Sequence, residues 1–214
     1  MVSAAAATQA TLLQYAPRAI LNYGCVGAHR LELLPGDLVV GEHVVAYDNY
    51  REDRDGSLEY HGMYFLADGQ QHRVASLACD AALLQVARET AAALGDAHEP
   101  WPVELGWPAS VAHRSPRVVF GTVASADRWN RSPASIAALV TRHDSVCEDM
   151  EAAAIGLVCA SHDVPFLTIK DISNNELLRA TSSGTALLDE IGSGQIARRA
   201  AALTLAVIRA LSCT

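Results

Sequence analysis

The residues with the most chemistry per unit length are the acids of Glu148-Asp149-Met150-Glu151, three carboxylates within four positions. A carboxylate held in a cleft can accept hydrogen bonds from hydroxyls and stabilise a positive charge that develops during bond breaking. The same run also suits the solvated first turn of a helix, where acids complement the dipole. Three further stretches carry small, polar or aromatic residues at the ends of apolar runs: Gly24-Cys25-Val26-Gly27, Ser125 to Asn130 with Trp129 inside it, and Ser173-Asn174-Asn175. No HExxH, HxH or CxxC pattern occurs, so neither a metal nor another cofactor is predicted. The five cysteines, Cys25, Cys79, Cys147, Cys159 and Cys213, are odd in number and widely spaced, and are expected to be buried thiols.

Elements that could position these residues are legible in the hydrophobic pattern. Ser3 to Tyr15 reads as a helix stopped by Pro17. Ala19 to Gly24 reads as a buried strand entering a tight turn, and Leu38 to Val40 and Val44 to Tyr47 as strand runs after the Pro35-Gly36-Asp37 turn. The polar stretch Asp48 to Arg73, with Asp55-Gly56 and Asp68-Gly69, predicts one or two hairpins. Asp80 to Leu94 is an amphipathic helix, while Gly95 to Pro116, rich in proline and tryptophan, reads as a loop or strand-poor excursion. Val118 to Ala124 is a strand. Val146, Met150, Ala153, Leu157 and Val158 recur at helical spacing and predict one helix over Ser145 to Ser161, followed by a strand at Val164 to Ile172. A short helix is expected at Ala186 to Ile191, and Ile196, Ala200, Leu203, Val207 and Leu211 line the face of a last helix.

Strands alternating with helices predict a three-layer α/β/α architecture around a mixed, largely parallel central sheet. In such sheets ligands collect outside the carboxyl ends of strands, where the three polar stretches lie. The length of 214 residues suits one domain over 1–214. Half of the residues are hydrophobic, yet no apolar run approaches the roughly 20 residues of a membrane span, so no membrane partner is expected. The first residues lack the basic and apolar regions of a secretory signal, which makes the cytoplasm the expected location. A net charge of −8 argues against a nucleic-acid partner and for a small molecule.

Glu148 to Ala154, followed by Val164-Pro165-Phe166-Leu167-Thr168-Ile169-Lys170-Asp171-Ile172-Ser173, resembles the signature of methylthioadenosine/S-adenosylhomocysteine nucleosidases and their relatives in the purine nucleoside phosphorylase superfamily. Asn22 to Gly27, Pro35 to Val40 and Ala124 to Asp127 are similar to other blocks of that family, in the same order. The resemblance implies an N-glycosidase acting on a purine nucleoside, with futalosine hydrolase, a 6-oxopurine phosphorylase and a nucleoside binder without turnover as alternatives. It implies that Met150 and Glu151 hold the ribose and that Trp129 lies against the purine. It further implies a substrate site built from Cys25, Val26, Gly27, Ser125, Trp129, Asn130, Asp149, Met150, Glu151 and Ser173, with Asn174 and Glu151 as catalytic residues.

Two substitutions relative to the family refine this expectation. Asn22 stands where phosphorylases carry a phosphate-clamping arginine, which favours water over phosphate as nucleophile. Asn174 stands where the nucleosidases have an aspartate that protonates the leaving base; an asparagine amide donates a hydrogen bond but transfers no proton, which suits a 6-oxopurine. Family members also begin with strands upstream of the first helix, one of which ends in the water-activating glutamate. By resemblance the sheet is therefore expected to lack its first strands and to expose an edge. A homodimer is expected by the same resemblance, with the apolar residues around Tyr60 to Phe65 as its interface.

Overall fold

A computed structural model describes residues 1–94, 114–181 and 197–212. The expected helix at Ala186 to Ile191, together with Ile196, Cys213 and most of the stretch from Gly95 to Pro116, lies outside the described residues.

The chain opens with helix α1 (Val2–Tyr15), closed by Ala16 in the left-handed region. Strand β1 (Ile20–Ala28) follows. It does not turn at Gly24 as the glycine suggested: it continues through Cys25 and Val26, because its partner strand supplies a parallel ladder that extends past that point. Strand β2 (Leu38–Ala46) unites the two expected runs, since the polar Gly41 to His43 break is only a shift of register against a neighbour. Two hairpins come next: β3 (Tyr50–Glu52) with β4 (Leu58–Tyr60), and β5 (Met63–Ala67) with β6 (Gln70–Val74). Asp68 and Gly69 both adopt positive φ between β5 and β6, the conformation that a two-residue hairpin turn requires.

A short strand, β7 (Leu77–Ala78), leads into helix α2 (Ala81–Leu94). After it come β8 (Val118–Ser125), α3 (Pro133–His143), β9 (Ser145–Asp149), α4 (Ala152–Ser161), β10 (Phe166–Asn174), α5 (Glu176–Thr181) and α6 (Arg198–Leu211). Helix α3 has no counterpart in the pattern reading, although Pro133 sits at its start, where proline's missing N–H costs nothing.

The helix expected over Ser145 to Ser161 divides into two elements. Asp144, in the left-handed region, ends α3, and the next five residues form β9, every one of them buried. Only from Ala152 is the chain helical. A five-residue strand bearing Val146 and Cys147 is too short for its period to be read, and Met150 continued the helical spacing by coincidence.

The main sheet has the order β10-β1-β9-β8-β2-β7 and is mixed, with β1–β10, β2–β8 and β8–β9 parallel. Additional antiparallel pairing of β10 with β2 curls it. The centre is β2, whose Leu38, Val39, Val40, Val44 and Val45 are wholly buried. Helices cover both faces, as expected of this class. Along β10, Phe166 points towards Gly156 of α4, whereas the carboxylate of Asp171 accepts the backbone N–H of Arg199 at the start of α6. Helix α4 is apolar all round because it is enclosed, with Ala152 to Gly156 and Cys159 buried.

Three features of this sheet set up a site. Strand β1 pairs with β9 only at Gly27 and Ala28, so among the described residues Ile20 to Val26 have no strand on that side. Val26 pairs with Ile172 but Gly27 with Asn174, so Ser173 is an extra residue that bulges at the end of β10. Such bulges re-aim side chains. The ends of β8 and β9 arrive at the same place, Ser125 opposite Asp149. No helix among the described residues is long and apolar enough to cross a membrane.

Candidate functional site

A cavity of about 240 Å³ opens where the ends of β1, β9 and β10 meet the loop after β8. It collects most of the expected residues: Cys25, Val26 and Gly27 from β1, Trp129 from the loop, Asp149, Met150 and Glu151 from the end of β9, and Ser173 and Asn174 from β10. Ser125 and Asn130 do not line it. Both are buried one layer behind, where their side chains serve its carboxylates. Arg128 and Glu148 line the cavity in addition.

The three carboxylates have different environments, which a run of acids in sequence could not reveal. Asp149 is buried: its Oδ1 accepts the Ser125 hydroxyl at 2.5 Å, its Oδ2 accepts the Ala152 N–H at 3.1 Å, and Lys170 Nζ lies 2.7 Å from that Oδ2. Its charge is thus spent on the fold, and it closes the first turn of α4 from outside the helix.

Glu148 is buried as well. Its Oε1 accepts the Asn130 backbone N–H at 2.9 Å, and its Oε2 accepts the Asn130 amide at 2.6 Å and the Tyr47 hydroxyl at 3.1 Å. His29 Nε2 stands 3.6 Å from the same oxygen. Burial pushes the Glu148 carboxyl up, but His29 and the two Asn130 contacts together outweigh it and hold the group below the ordinary glutamate range. Burial and the neighbouring Glu148 in turn raise the Tyr47 phenol.

Glu151 is the exposed member. It begins α4 with its carboxylate beside Met150, itself 39% exposed. Across the cavity, Ser173 donates to Asn174 Oδ1 at 2.9 Å, while Asn174 Nδ2 lies 3.3 Å from Glu176 Oε1. Trp129 is 55% exposed at the rim, a ring without a packed interior to fill. Cys25 is exposed on β1, contrary to the expectation of buried thiols, because successive strand residues alternate faces and Cys25 falls on the cavity side. Burial of the sulfur atom still raises its pKa. Cys79, Cys147 and Cys159 are buried and free.

Asn22 lies outside the cavity lining, its Oδ1 accepting the Thr168 hydroxyl at 2.9 Å. Arg30 pairs with Asp144 at 2.6 Å. A larger hollow of about 420 Å³ lies beside Arg30 and Phe120, bounded by that pair and by Glu42, which is paired with Arg88. It gathers no strand ends. Of the two lining residues outside the expected site set, Glu148 stood in the acidic run that the sequence marks, whereas Arg128 carried no signal beyond its place next to Trp129.

With this geometry in view, the profile of the phosphorylase superfamily matches residues 1–209. The chain belongs to that superfamily. Among curated members it is similar to the 5′-methylthioadenosine/S-adenosylhomocysteine nucleosidase of Shewanella sediminis, at 26% identity over 176 residues, covering 81% of this chain and 64% of the relative. The chain therefore spans a little under two thirds of that relative's length. Among solved structures, futalosine hydrolase of Helicobacter pylori superposes with a TM-score of 0.70 at 20% identity, covering 97% of this chain and 75% of the other. The methylthioadenosine/S-adenosylhomocysteine nucleosidase of S. pneumoniae, solved with a transition-state inhibitor, gives 0.69 at 19%, covering 98% and 77%. At such identities the superpositions establish the nucleoside phosphorylase-like fold.

Proposed function

We propose that this superfamily member binds a purine nucleoside of the methylthioadenosine/S-adenosylhomocysteine type and hydrolyses its N-glycosidic bond. Water adds to the anomeric carbon, the carbon–nitrogen bond breaks, and the base leaves having gained a proton. The observation that carries the reading is the exposed Glu151 carboxylate beside Met150, facing Asn174 and Trp129 across one cavity. Glu151 accepts hydrogen bonds from the 2′- and 3′-hydroxyls, and its charge stabilises the oxocarbenium character that grows on the ribose. Trp129 stacks on the base, Asn174 donates its amide to a base acceptor, and Cys25, Val26 and Gly27 supply a wall that a sugar can approach closely. The names of the curated and structural relatives support this reading.

A second reading, binding without turnover, draws on the carboxylates themselves. Among the described cavity residues, Glu148 is engaged by Tyr47 and Asn130 and Asp149 by Lys170, which leaves only Glu151, already assigned to the sugar. Asn174 favours a 6-oxopurine as the base, in line with the superposition on a futalosine hydrolase. Dimerisation belongs to the same proposal: Met63 of the β5–β6 hairpin turns into the core, but Leu58 and Leu66 stay exposed, and sedimentation analysis tests whether a second copy covers them.

The deciding experiment is release of free base from methylthioadenosine, S-adenosylhomocysteine, inosine and futalosine, with and without phosphate, followed by chromatography. Phosphate-independent release identifies a hydrolase and its substrate. Strict phosphate dependence would make it a phosphorylase, with Arg128, the one cation among the described cavity residues, as the anion's partner. Binding with no release supports the second reading.

A further inference from the structure

We infer that Lys170 is a positioning residue of this site: through Asp149 it sets the turn that presents Met150 and Glu151 to the nucleoside. The inference rests on the nucleoside reading above. Lys170 lies on β10, three residues before Ser173, with its side chain 1% exposed and Nζ 2.7 Å from Asp149 Oδ2. The same carboxylate accepts the Ser125 hydroxyl at 2.5 Å and the backbone N–H groups of Glu151 at 3.3 Å and Ala152 at 3.1 Å. Ser125 Oγ in turn accepts the Ala153 N–H at 2.9 Å. One buried ion pair therefore ties the strand end that carries Ser173 and Asn174 to the turn that carries Glu151, with β8 as the third anchor.

Two observations separate this from a pair that merely holds the core. First, Lys170 is directly opposite Gly24 in the parallel register, and a Cβ at Gly24 would stand 3.5 Å from Nζ, so the ammonium sits just beneath the cavity wall that begins at Cys25. Second, an apolar pair of the same volume would in general serve stability as well or better, since a buried ion pair has to overcome the desolvation of both charges. What an apolar pair could not supply is direction: several N–H and O–H groups aimed at one carboxylate whose position is fixed from below. Neutralising Asp149 also leaves Glu151 as the carboxylate of this cavity without an ion-pair partner among the described residues, facing the sugar where a developing cation would form.

The test is a double-mutant cycle between Lys170→Met and Glu151→Gln, with near-ultraviolet circular dichroism as the check on folding. Affinity for methylthioadenosine is measured by calorimetry and base release by chromatography. If Lys170 acts by placing Glu151, Lys170→Met lowers kcat/KM by about 100-fold in the Glu151 background but by no more than about 3-fold once Glu151 is glutamine. A reduction of the same factor in both backgrounds, or none in either, overturns the inference. Should Lys170→Met fail to fold, Asp149→Asn/Lys170→Met, which leaves no unpaired buried charge, takes its place in the cycle under the same criterion. If the unaltered protein binds without turnover, the calorimetric affinities carry the cycle, with the same non-additivity expected. Absence of both binding and base release in the unaltered protein would remove the nucleoside reading, and the positioning role with it; in a protein that binds without turnover, an affinity that Lys170→Met leaves unchanged would overturn the role of Lys170 alone.

Discussion

Replacing Asp171 with asparagine isolates the cost of one buried charge, and the structure supplies its size. Asp171 is wholly buried on β10; among the described residues its Oδ1 has no hydrogen-bond partner, and its Oδ2 accepts a long hydrogen bond, 3.3 Å, from the Arg199 N–H. Burial pushes its carboxyl from 3.8 to about 6, against the downward pull of the Arg199 charge. Below about pH 4 the acid is protonated in both folded and unfolded chains and carries no penalty. Between about pH 4 and 6 the unfolded chain loses its proton first, so the folded state binds more protons and stability falls as pH rises. Above pH 6 the whole penalty is present. The shift from 3.8 to about 6 corresponds to roughly 3 kcal/mol at 1.36 kcal/mol per unit.

Asparagine carries no such penalty and keeps an acceptor for Arg199, but it adds an amide donor whose burial without a partner costs about 1–3 kcal/mol at every pH. The expected signature is therefore in the slope. The stability of Asp171→Asn relative to the unaltered protein should rise by about 3 kcal/mol between pH 4 and pH 8, roughly 6–12 °C in relative Tm for a chain of this size. Thermal and urea unfolding of both proteins at each pH unit from 4 to 8 measures it. A difference between the two proteins that stays flat across that range would refute the assignment of a buried, unwillingly ionised carboxylate.

Other expectations are simpler. Trp129→Ala should weaken nucleoside binding by about 5- to 150-fold, the loss of one base stack of about 1–3 kcal/mol, while leaving Tm nearly unchanged because the ring is 55% exposed; calorimetry and a thermal melt check the two halves. Glu151→Gln keeps the shape of the sugar contact but removes its charge, and should lower kcat/KM by about 10- to 100-fold, read in the base-release assay. Gly121→Ala should destabilise by about 1–3 kcal/mol in urea titration, since a Cβ there would sit 2.7 Å from Val146 Cγ1 across the β8–β9 pair.

The sequence alone determined much about this protein. Apolar runs bounded by glycine and proline placed β2, β8 and β10; the paired aspartate–glycine dipeptides placed the two hairpins; and the amphipathic spacing of Ala200, Leu203 and Val207 placed α6. These are signals that a residue's neighbours in the chain can carry, because a buried face repeats at the period of its own element. The ordered blocks around Asn22, Asp37, Asp127 and Met150 also marked the strand ends at which nine of the eleven expected site residues converge.

Tertiary structure decided the rest. Ser145 to Asp149 is a strand because β8 and β1 offer it ladders on both sides, a contact more than a hundred residues distant along the chain for β1 and invisible to local period. Which carboxylate is free was settled the same way. Glu148, Asp149 and Glu151 are chemically near-equivalent in sequence, and they part only when Asn130 and Tyr47 fold over the first, Lys170 rises beneath the second, and the third stays exposed among the described residues. The environment of a charged group is set by whatever the fold brings within a few ångströms of it, and for Asp149 that includes an ammonium 21 positions further along the chain, on another strand.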